Sequence, residues 1–280
     1  MQTFDNRKDL QACIELMRAQ GNLIGFVPTM GALHEGHFSL VLQSLSACDH
    51  SVVSIYVNPK QFNNAEDYEA YPRQVESDLV RLQSLGVNAV YLPTFEELFS
   101  EENPATALDL HGLDVLLEGA SRPGHFRGVV EVVYALLQHV KPDNLFLGLK
   151  DYQQVLVIKN MVSDLSLPLS VVACETQRAP NGLALSSRNQ RLSMEQQAQA
   201  TVLYRVLTKI KNNQKSHTPS ELLAQGIEEL TQASLVVDYL VVVDAQSLIP
   251  LDSFGPHALA CVAATCHGVR LIDNMPLWGD

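Results

Sequence analysis

The chain has 280 residues, of which 46 % are hydrophobic, so it can bury a sizeable core, and a disordered protein is excluded. Its net charge of -12, without a cluster of lysine and arginine, argues against nucleic acid as the main partner. No segment resembles a signal peptide or is long enough to cross a bilayer, and the five cysteines lack C-x-x-C spacing. We therefore expect reduced thiols in a cytoplasmic protein that has no membrane partner.

The first part of the chain alternates helical patterns with short apolar runs. The spacing of Leu10, Ile14 and Met17 predicts a surface helix at residues 7–20, which leads into an apolar strand at 23–27. Further strands are predicted at 50–57, 87–92, 144–148 and 169–174, and further helices at 38–45, 75–85, 129–140 and 155–165. This alternation is typical of an α/β protein with a Rossmann-like parallel sheet.

The pattern changes after residue 176. Helices are predicted at 193–212 and 219–233, followed by strands at 236–243, 257–265 and 270–273. Helices followed by strands that can pair antiparallel favour a small α+β domain. We therefore predict a Rossmann-like domain at 1–176 and a smaller α+β C-terminal domain, acting as a lid, at 177–280.

The loop between the first strand and the helix after it carries paired histidines. Gly31 and Gly36 lie in this loop, and a helix N-terminus that follows a strand is a site where backbone N–H groups meet phosphate. His34 and His37 then stand where the phosphates of a nucleotide would lie. Imidazole donors there would stabilise the charge that develops when a nucleophile attacks the α-phosphate of ATP, an effect of about 3 kcal/mol per donor.

Two other interpretations of these histidines remain open. They can be ordinary loop residues, or they can bind zinc, which needs a third ligand that the neighbouring sequence does not supply.

Other loops that follow predicted strands carry polar side chains. Gln61, just after the strand at 50–57, suits a substrate with hydroxyl and carboxylate groups, although a loop glutamine is commonly solvent-facing. Arg122 and His125 can place a cation and a donor on an anionic substrate, or can simply decorate a helix start. Lys150 and Asp151 suit phosphate and ribose, or act as a helix cap and a solvated charge.

The segment after the predicted domain boundary contains consecutive hydroxyls followed by an arginine. Ser186 and Ser187 can donate hydrogen bonds to phosphate, and Arg188 can pair with phosphate oxygens. Such a segment forms a phosphate clamp in several adenylate-forming enzymes.

Taken together, these motifs resemble the pantothenate synthetase (pantoate–beta-alanine ligase) family. The resemblance rests on six segments in order: PTMGALHEGH at 28–37, YVNPKQF at 56–62, YPR at 71–73, RPGHFRG at 122–128, KDYQQ at 150–154 and SSRN at 186–189. It covers nearly all of residues 20–195, whereas the last third matches only in broad pattern.

The resemblance implies a two-step amide synthesis that depends on ATP. Pantoate attacks the α-phosphate of ATP to give pantoyl adenylate and pyrophosphate, and the amine of β-alanine then displaces AMP to give pantothenate. It also implies Mg²⁺ on the ATP phosphates and a homodimer.

The family's site residues carry over position by position. His34, His37 and Lys150 would be catalytic, with His37 as a proton donor. The ATP site would comprise Pro28, Met30, Gly31, His34, His37, Gly148, Lys150, Asp151, Gln177, Leu185, Ser186, Ser187 and Arg188. Pantoate would be held by Asn58, Gln61, Arg122, His125 and Gln154, β-alanine by Gln61, and the magnesium ion by Asp78.

The sequence departs from the family pattern at a few positions. Leu149 stands where Glu is usual, which removes a charge beside the nucleotide site. The other departures are Asn63, Ala179, Asn181 and Arg191. We expect altered nucleotide affinity or hinge behaviour rather than lost chemistry.

Two alternative functions remain. A nucleotidyltransferase shares the fold and the paired histidines but stops at a stable nucleotide adduct. An ATP-binding sensor descended from the ligase is suggested by Leu149 and Ala179.

Overall fold

The chain divides into two units that are not each continuous in sequence. In a computed structural model that describes residues 1–100 and 103–279, the first unit comprises Met1–Leu149 and Gln153–Glu175. The second comprises Lys150–Tyr152 and Thr176–Asp280. The short segment of the second unit thus interrupts the first.

The first unit is built on a parallel sheet of six strands. The strands are β1 (Gln2–Phe4), β2 (Ile24–Thr29), β3 (His50–Ile55), β4 (Ala89–Tyr91), β5 (Asn144–Gly148) and β6 (Ser170–Cys174). Their order in the sheet is β1-β4-β3-β2-β5-β6, and every neighbouring pair is parallel. The strand order therefore reverses between β2 and β5, the position at which open α/β sheets bind ligands.

Helices connect these strands. They are α1 (Arg7–Arg18), α2 (Glu35–Ala47), α3 (Ala65–Glu69), α4 (Val75–Leu85), α5 (Phe95–Phe99), α6 (Leu117–Ser121), α7 (His125–Val140) and α8 (Tyr152–Asp164). Short 3-10 helices lie at Pro59–Gln61, Pro104–Ala107 and Leu149–Asp151.

Strand β2 lies at the centre of the sheet and is buried on both faces. Ile24, Phe26 and Val27 are fully buried, as expected for a central parallel strand. A Cβ on Gly25 would overlap Ser44 Oγ, so a glycine permits the close packing of α2. The register pairs only Gly25 and Phe26 with β5, whereas the whole of β2 pairs with β3. Beyond Phe26 the edge of β2 that faces β5 is therefore unpaired, which is why Pro28, lacking an N–H, is tolerated in a central strand.

The second unit is a three-stranded antiparallel sheet packed with helices. Its helices are α9 (Met194–Ala200), α10 (Val202–Asn213) and α11 (Pro219–Gln232), its strands are β7 (Val236–Asp244), β8 (Ala258–Cys266) and β9 (Val269–Pro276), and a 3-10 helix spans Ser187–Arg191. The strand order is β7-β8-β9. Leu203, Leu207 and Ile210 of α10 pack with Val262 of β8 in one hydrophobic cluster.

The predicted fold class is confirmed: a Rossmann-like parallel sheet is followed by a smaller α+β unit. Several details differ from the prediction, since the short helices α3, α5 and α6 were not predicted. The single helix expected at 193–212 is two helices that meet at Thr201, and β1 was not predicted. None of the helices in the described part of the chain is long and apolar enough to cross a membrane.

Candidate active site

The loop after β2 is fixed by side-chain oxygens of two residues, Thr29 and Asp78. Gly31 and Ala32 have φ angles of +79° and +50°, so two successive residues adopt the left-handed conformation. The N–H of Gly31 donates to Thr29 Oγ1 at 3.2 Å. The N–H groups of Ala32 and Leu33 donate to the two carboxylate oxygens of Asp78 at 2.8 and 2.9 Å. This loop leads directly into the N-terminus of α2.

His34 and His37 lie at that N-terminus and use the same ring nitrogen in the same way. The N–H of Gly36 donates to Nδ1 of His34 at 3.1 Å, and the N–H of His34 donates to Nδ1 of His37 at 3.3 Å. The two ring centroids are 4.1 Å apart. Because a ring nitrogen that accepts carries no proton, each neutral imidazole has its proton on Nε2. Both half-buried rings therefore present an Nε2–H donor beside the helix N-terminus.

Gln61 is held at the end of the 3-10 helix that follows β3. Its side chain is 8 % exposed, and Nε2 donates to Met30 Sδ at 2.9 Å. Asn58 donates to Gln61 Oε1 at 3.3 Å and to the carbonyl oxygen of Gly128 at 3.0 Å. The structure thus brings Met30, Asn58 and Gln61 together.

Arg122 and His125 contact the backbone of Gln61. Nδ1 of His125 donates to the carbonyl oxygen of Gln61 at 2.8 Å, and Arg122 donates to the same oxygen at 3.1 Å. Arg122 also donates to Nε2 of His125 at 3.2 Å, which fixes the tautomer of the ring. These two residues therefore position Gln61.

Two adjacent glutamines at the start of α8 have different surroundings. Gln153 is 5 % exposed, donates to the carbonyl oxygens of Leu113 and Leu116, and accepts from the N–H of Glu118. The side chain of Gln154 is half-buried. Gln153 therefore joins separate segments of the first unit. The role of Gln154 as a pantoate contact stays a prediction.

Asp78 does not fit a magnesium site. Its side chain is 3 % exposed, and both oxygens accept backbone N–H groups of the histidine loop. Burial raises the pKa of this carboxyl group, and the hydrogen bonds from Leu33 and Ala32 oppose that rise. Within residues 1–100 and 103–279, no three His, Cys, Asp or Glu side chains are grouped so as to hold a metal ion. Asp78 therefore supports the loop, and its carboxylate oxygens are already used by backbone N–H groups.

In the second unit, Lys150 and Asp151 form an ion pair with Nζ and Oδ1 3.3 Å apart. Lys150 is largely buried, with 18 % of its side chain exposed, whereas Asp151 is 48 % exposed. The side-chain amide of Asn274 donates to the carbonyl oxygen of Lys150 at 2.9 Å. Asn274 therefore fixes the backbone that carries both predicted nucleotide contacts, and no motif in the sequence pointed to this residue.

The segment from Gln177 to Leu185 folds back on itself as a hairpin. The N–H of Leu185 donates to the carbonyl oxygen of Gln177 at 2.9 Å. Arg178 makes a bidentate pair with the buried Asp273 at 2.6 and 2.9 Å, and its guanidinium lies 4.6 Å from the ring centroid of Tyr204. This pair anchors the hairpin to β9, and sequence reasoning missed it because its partners are 95 residues apart.

The hairpin leads into the Ser-Ser-Arg segment. Ser186 is the N-cap of the 3-10 helix Ser187–Arg191, and its Oγ accepts the N–H of Arg188 at 3.3 Å. Ser187 and Asn189 are buried. The departure at Asn181 keeps an acceptor, because its side-chain oxygen accepts the N–H of Leu183 at 3.2 Å.

The fold and the loop after β2 define a nucleotide-binding α/β protein. A sequence model of the pantoate-beta-alanine ligase family matches residues 2–276. A pantothenate synthetase from Porphyromonas gingivalis is 41 % identical over 98 % of this chain and 99 % of its own length, and one from Rhodopirellula baltica is 43 % identical over 99 % of both chains.

Solved structures agree with these relatives. A pantothenate synthetase from Thermus thermophilus superposes with a TM-score of 0.90 at 39 % identity, covering 100 % of both chains. A Francisella tularensis pantoate-beta-alanine ligase, complexed with beta-gamma ATP and beta-alanine, has a TM-score of 0.80 at 36 % identity over 99 % of this chain and 98 % of its own.

This chain belongs to the pantoate-beta-alanine ligase family. It is an ATP-dependent ligase that forms the amide bond of pantothenate from pantoate and β-alanine.

Proposed function

We propose that the reaction proceeds through pantoyl adenylate. A carboxylate oxygen of pantoate attacks the α-phosphorus of ATP, and the bond from that phosphorus to the bridging oxygen breaks to release pyrophosphate. The amine nitrogen of β-alanine then attacks the acyl carbon, loses a proton, and displaces AMP. Each step builds negative charge on phosphate oxygens, so preorganised donors lower both barriers.

The hydrogen bonding of the paired imidazoles is the observation that carries the proposal. Both rings accept a backbone N–H at Nδ1, so both present Nε2–H to a ligand at the start of α2. His34 and His37 thereby stabilise the charge on the phosphates. His37, predicted as a proton donor, acts in this state as a hydrogen-bond donor to the leaving pyrophosphate, because a neutral imidazole that lost its Nε2 proton would become an imidazolate. The pyrophosphate leaves from this end because the helix N-terminus favours negative charge.

Gln61 and Gln154 bind pantoate, and Gln61 also contacts β-alanine. Asn58, Arg122 and His125 act through Gln61, since all three hold its amide or its carbonyl oxygen in place. The Francisella tularensis relative, whose structure is described as a complex with beta-alanine, supports a binding site for this substrate in the family.

The predicted nucleotide contacts are divided along the chain between the two units. In the first unit these are Pro28, Met30, Gly31 and Gly148 beside the histidines, and in the second they are Lys150, Asp151, Gln177, Leu185, Ser186, Ser187 and Arg188. Lys150 and Arg188 supply positive charge in a protein whose net charge is -12. Mg²⁺ would accompany ATP and supply positive charge to its phosphates.

Pyrophosphate release tests the proposal. With ATP and Mg²⁺, release should require pantoate, and mass spectrometry should detect pantoyl adenylate before β-alanine is added and AMP afterwards. The His37→Ala variant should turn over about a hundredfold more slowly. His217→Ala, which changes an exposed histidine beside Ser216, is the matched control and should keep wild-type turnover. Pyrophosphate release without pantoate, or full activity of His37→Ala, would overturn the proposal.

A cytoplasmic homodimer completes the proposal. The cytoplasmic location is supported by five free cysteines, and the dimer rests on the family resemblance. Light scattering should give a mass near twice 30.9 kDa, and a monomer mass would contradict the dimer.

A further inference from the structure

Asp78 lies on a different element from the histidine loop but contacts it twice. It occupies the first turn of α4, whereas the N–H groups that it accepts belong to Ala32 and Leu33, 46 and 45 residues earlier. With only 3 % of the residue exposed, water cannot easily replace the carboxylate as the acceptor for these N–H groups.

The loop needs such an acceptor because its backbone conformation is unfavourable. Ala32 has a φ of +50°, a region in which a residue with a Cβ is disfavoured. Gly31 has a φ of +79°, and a Cβ there would lie 3.2 Å from Asp78 Oδ2 and 3.0 Å from Ile55 Cγ2. The carboxylate therefore fills the inner side of the turn. Because Leu33 directly precedes His34, holding the N–H of Leu33 also fixes the backbone orientation of His34.

We propose that Asp78 is a positioning residue for the phosphate-handling histidines and not a metal ligand. This inference rests on the proposed function of His34 and His37. The charged carboxylate holds Ala32 and Leu33 so that His34 begins α2 in the orientation in which its Nδ1, and that of His37, accept backbone N–H groups. The two Nε2–H donors then meet the phosphates without a costly rearrangement during the reaction.

Asp78→Asn is the first test, because it keeps the shape of the side chain but turns an NH₂ group toward one of the two N–H donors. We expect kcat to fall about tenfold, equivalent to about 1.4 kcal/mol in the activation free energy. The Mg²⁺ concentration that gives half-maximal activity should stay at the wild-type value. Glu76→Gln removes the same charge from an exposed position in the same helix turn and should leave kcat unchanged.

Two results with Asp78→Asn would overturn the inference. One is a raised Mg²⁺ requirement with wild-type kcat at saturating Mg²⁺, which is the behaviour of a lost metal ligand. The other is wild-type kcat at every Mg²⁺ concentration.

A double-mutant cycle separates this inference from the proposed function. If Asp78 acts through the histidines, the combined loss in Asp78→Asn with His37→Ala should be smaller than the product of the single losses. Losses that multiply would overturn the inference and leave the role of His37 intact. A His37→Ala variant with wild-type kcat would instead overturn the proposed function.

Amide hydrogen exchange in the wild-type protein provides a test that needs no variant to fold. The N–H groups of Ala32 and Leu33 should exchange slowly, since both are bound to a buried carboxylate. Exchange as fast as in an exposed loop would overturn the inference.

Discussion

At the scale of single residues, neighbouring side chains of the same type have separable tasks. Gln153 satisfies two carbonyl groups and one N–H group of a distant segment, whereas Gln154 is the predicted contact to pantoate. Position in the chain therefore does not reveal the structural role of Gln153, but its hydrogen bonds do.

Substituting each glutamine by alanine should separate these tasks. Gln153→Ala leaves buried backbone groups unpaired, so the free energy of unfolding should fall by about 2 kcal/mol. Gln154→Ala should leave that free energy unchanged but raise the KM for pantoate about tenfold, because a hydrogen bond to a charged group is worth about 1.5 kcal/mol. Denaturant unfolding and steady-state kinetics measure both quantities. The reverse pattern would contradict the assignment.

At the scale of elements, α7 packs closely against the 3-10 helix that carries Gln61. A Cβ on Gly128 would overlap the carbonyl group of Lys60, and the carbonyl oxygen of Gly128 accepts from Asn58. The glycine therefore lets the helix approach the site backbone.

Gly128→Ala should push these two elements apart. We expect a loss of about 1–3 kcal/mol in the free energy of unfolding, the usual cost of overpacking, and a higher KM for pantoate. Gly255→Ala is a suitable control, since a Cβ there meets nothing within 4 Å. Equal behaviour of the two variants in unfolding and kinetic assays would show that the close packing does not matter.

Strand β9 supports the proposed nucleotide contacts of the second unit. Asn274 holds the carbonyl oxygen of Lys150, and its own N–H donates to Asp273 Oδ1 at 2.8 Å. Asp273 in turn pairs with Arg178 of the hairpin. One strand thus fixes two of the segments proposed to contact ATP.

Removing the Asn274 side chain should loosen Lys150. In Asn274→Ala the KM for ATP should rise about fivefold, equivalent to about 1 kcal/mol for one lost hydrogen bond, while the KM for pantoate stays constant. Asn213→Ala removes an exposed amide that donates to the carbonyl oxygen of Lys209. It should change neither the KM for ATP nor the KM for pantoate. An unchanged KM for ATP in Asn274→Ala would exclude this role.

At the scale of the whole molecule, the reactivity of each cysteine depends on how deeply it is buried. Four of the five are buried and Cys13 is half-buried, and none forms a disulfide. Burial raises the pKa of the Cys174 thiol to about 11. At neutral pH, Cys174 is therefore in its reactive thiolate form in on the order of one molecule in ten thousand.

Thiol titration should follow this pattern. Without reductant, the native protein should react quickly at Cys13 and slowly elsewhere, and all five cysteines should react once denaturant is added. Reaction at Cys174 should accelerate as the pH rises toward 11, because the thiolate fraction grows. Fewer than five reactive thiols in denaturant would indicate a disulfide.

Periodicity predicted most of the fold because its signals are local. Buried strands such as β3 are continuous apolar runs, and the break after β2 is marked by glycine. The short strand β1 gives no pattern, and the break at Thr201 contains neither glycine nor proline.

The site was predictable only where its residues are close in sequence. His34 and His37 are three residues apart, and this spacing alone indicates that they share a function. Asp78, Asp273 and Asn274 act on partners between 45 and 124 residues away, and no local pattern encodes such contacts.

The three residues Lys150–Tyr152 belong to the second unit although β5 and most of α8, on either side of them, belong to the first. A gene segment that ends at residue 175 would therefore carry Lys150 away from Asn274. A second unit produced on its own needs residues 150–152 as well as 176–280 if it is to keep the hydrogen bond from Asn274 to the carbonyl oxygen of Lys150.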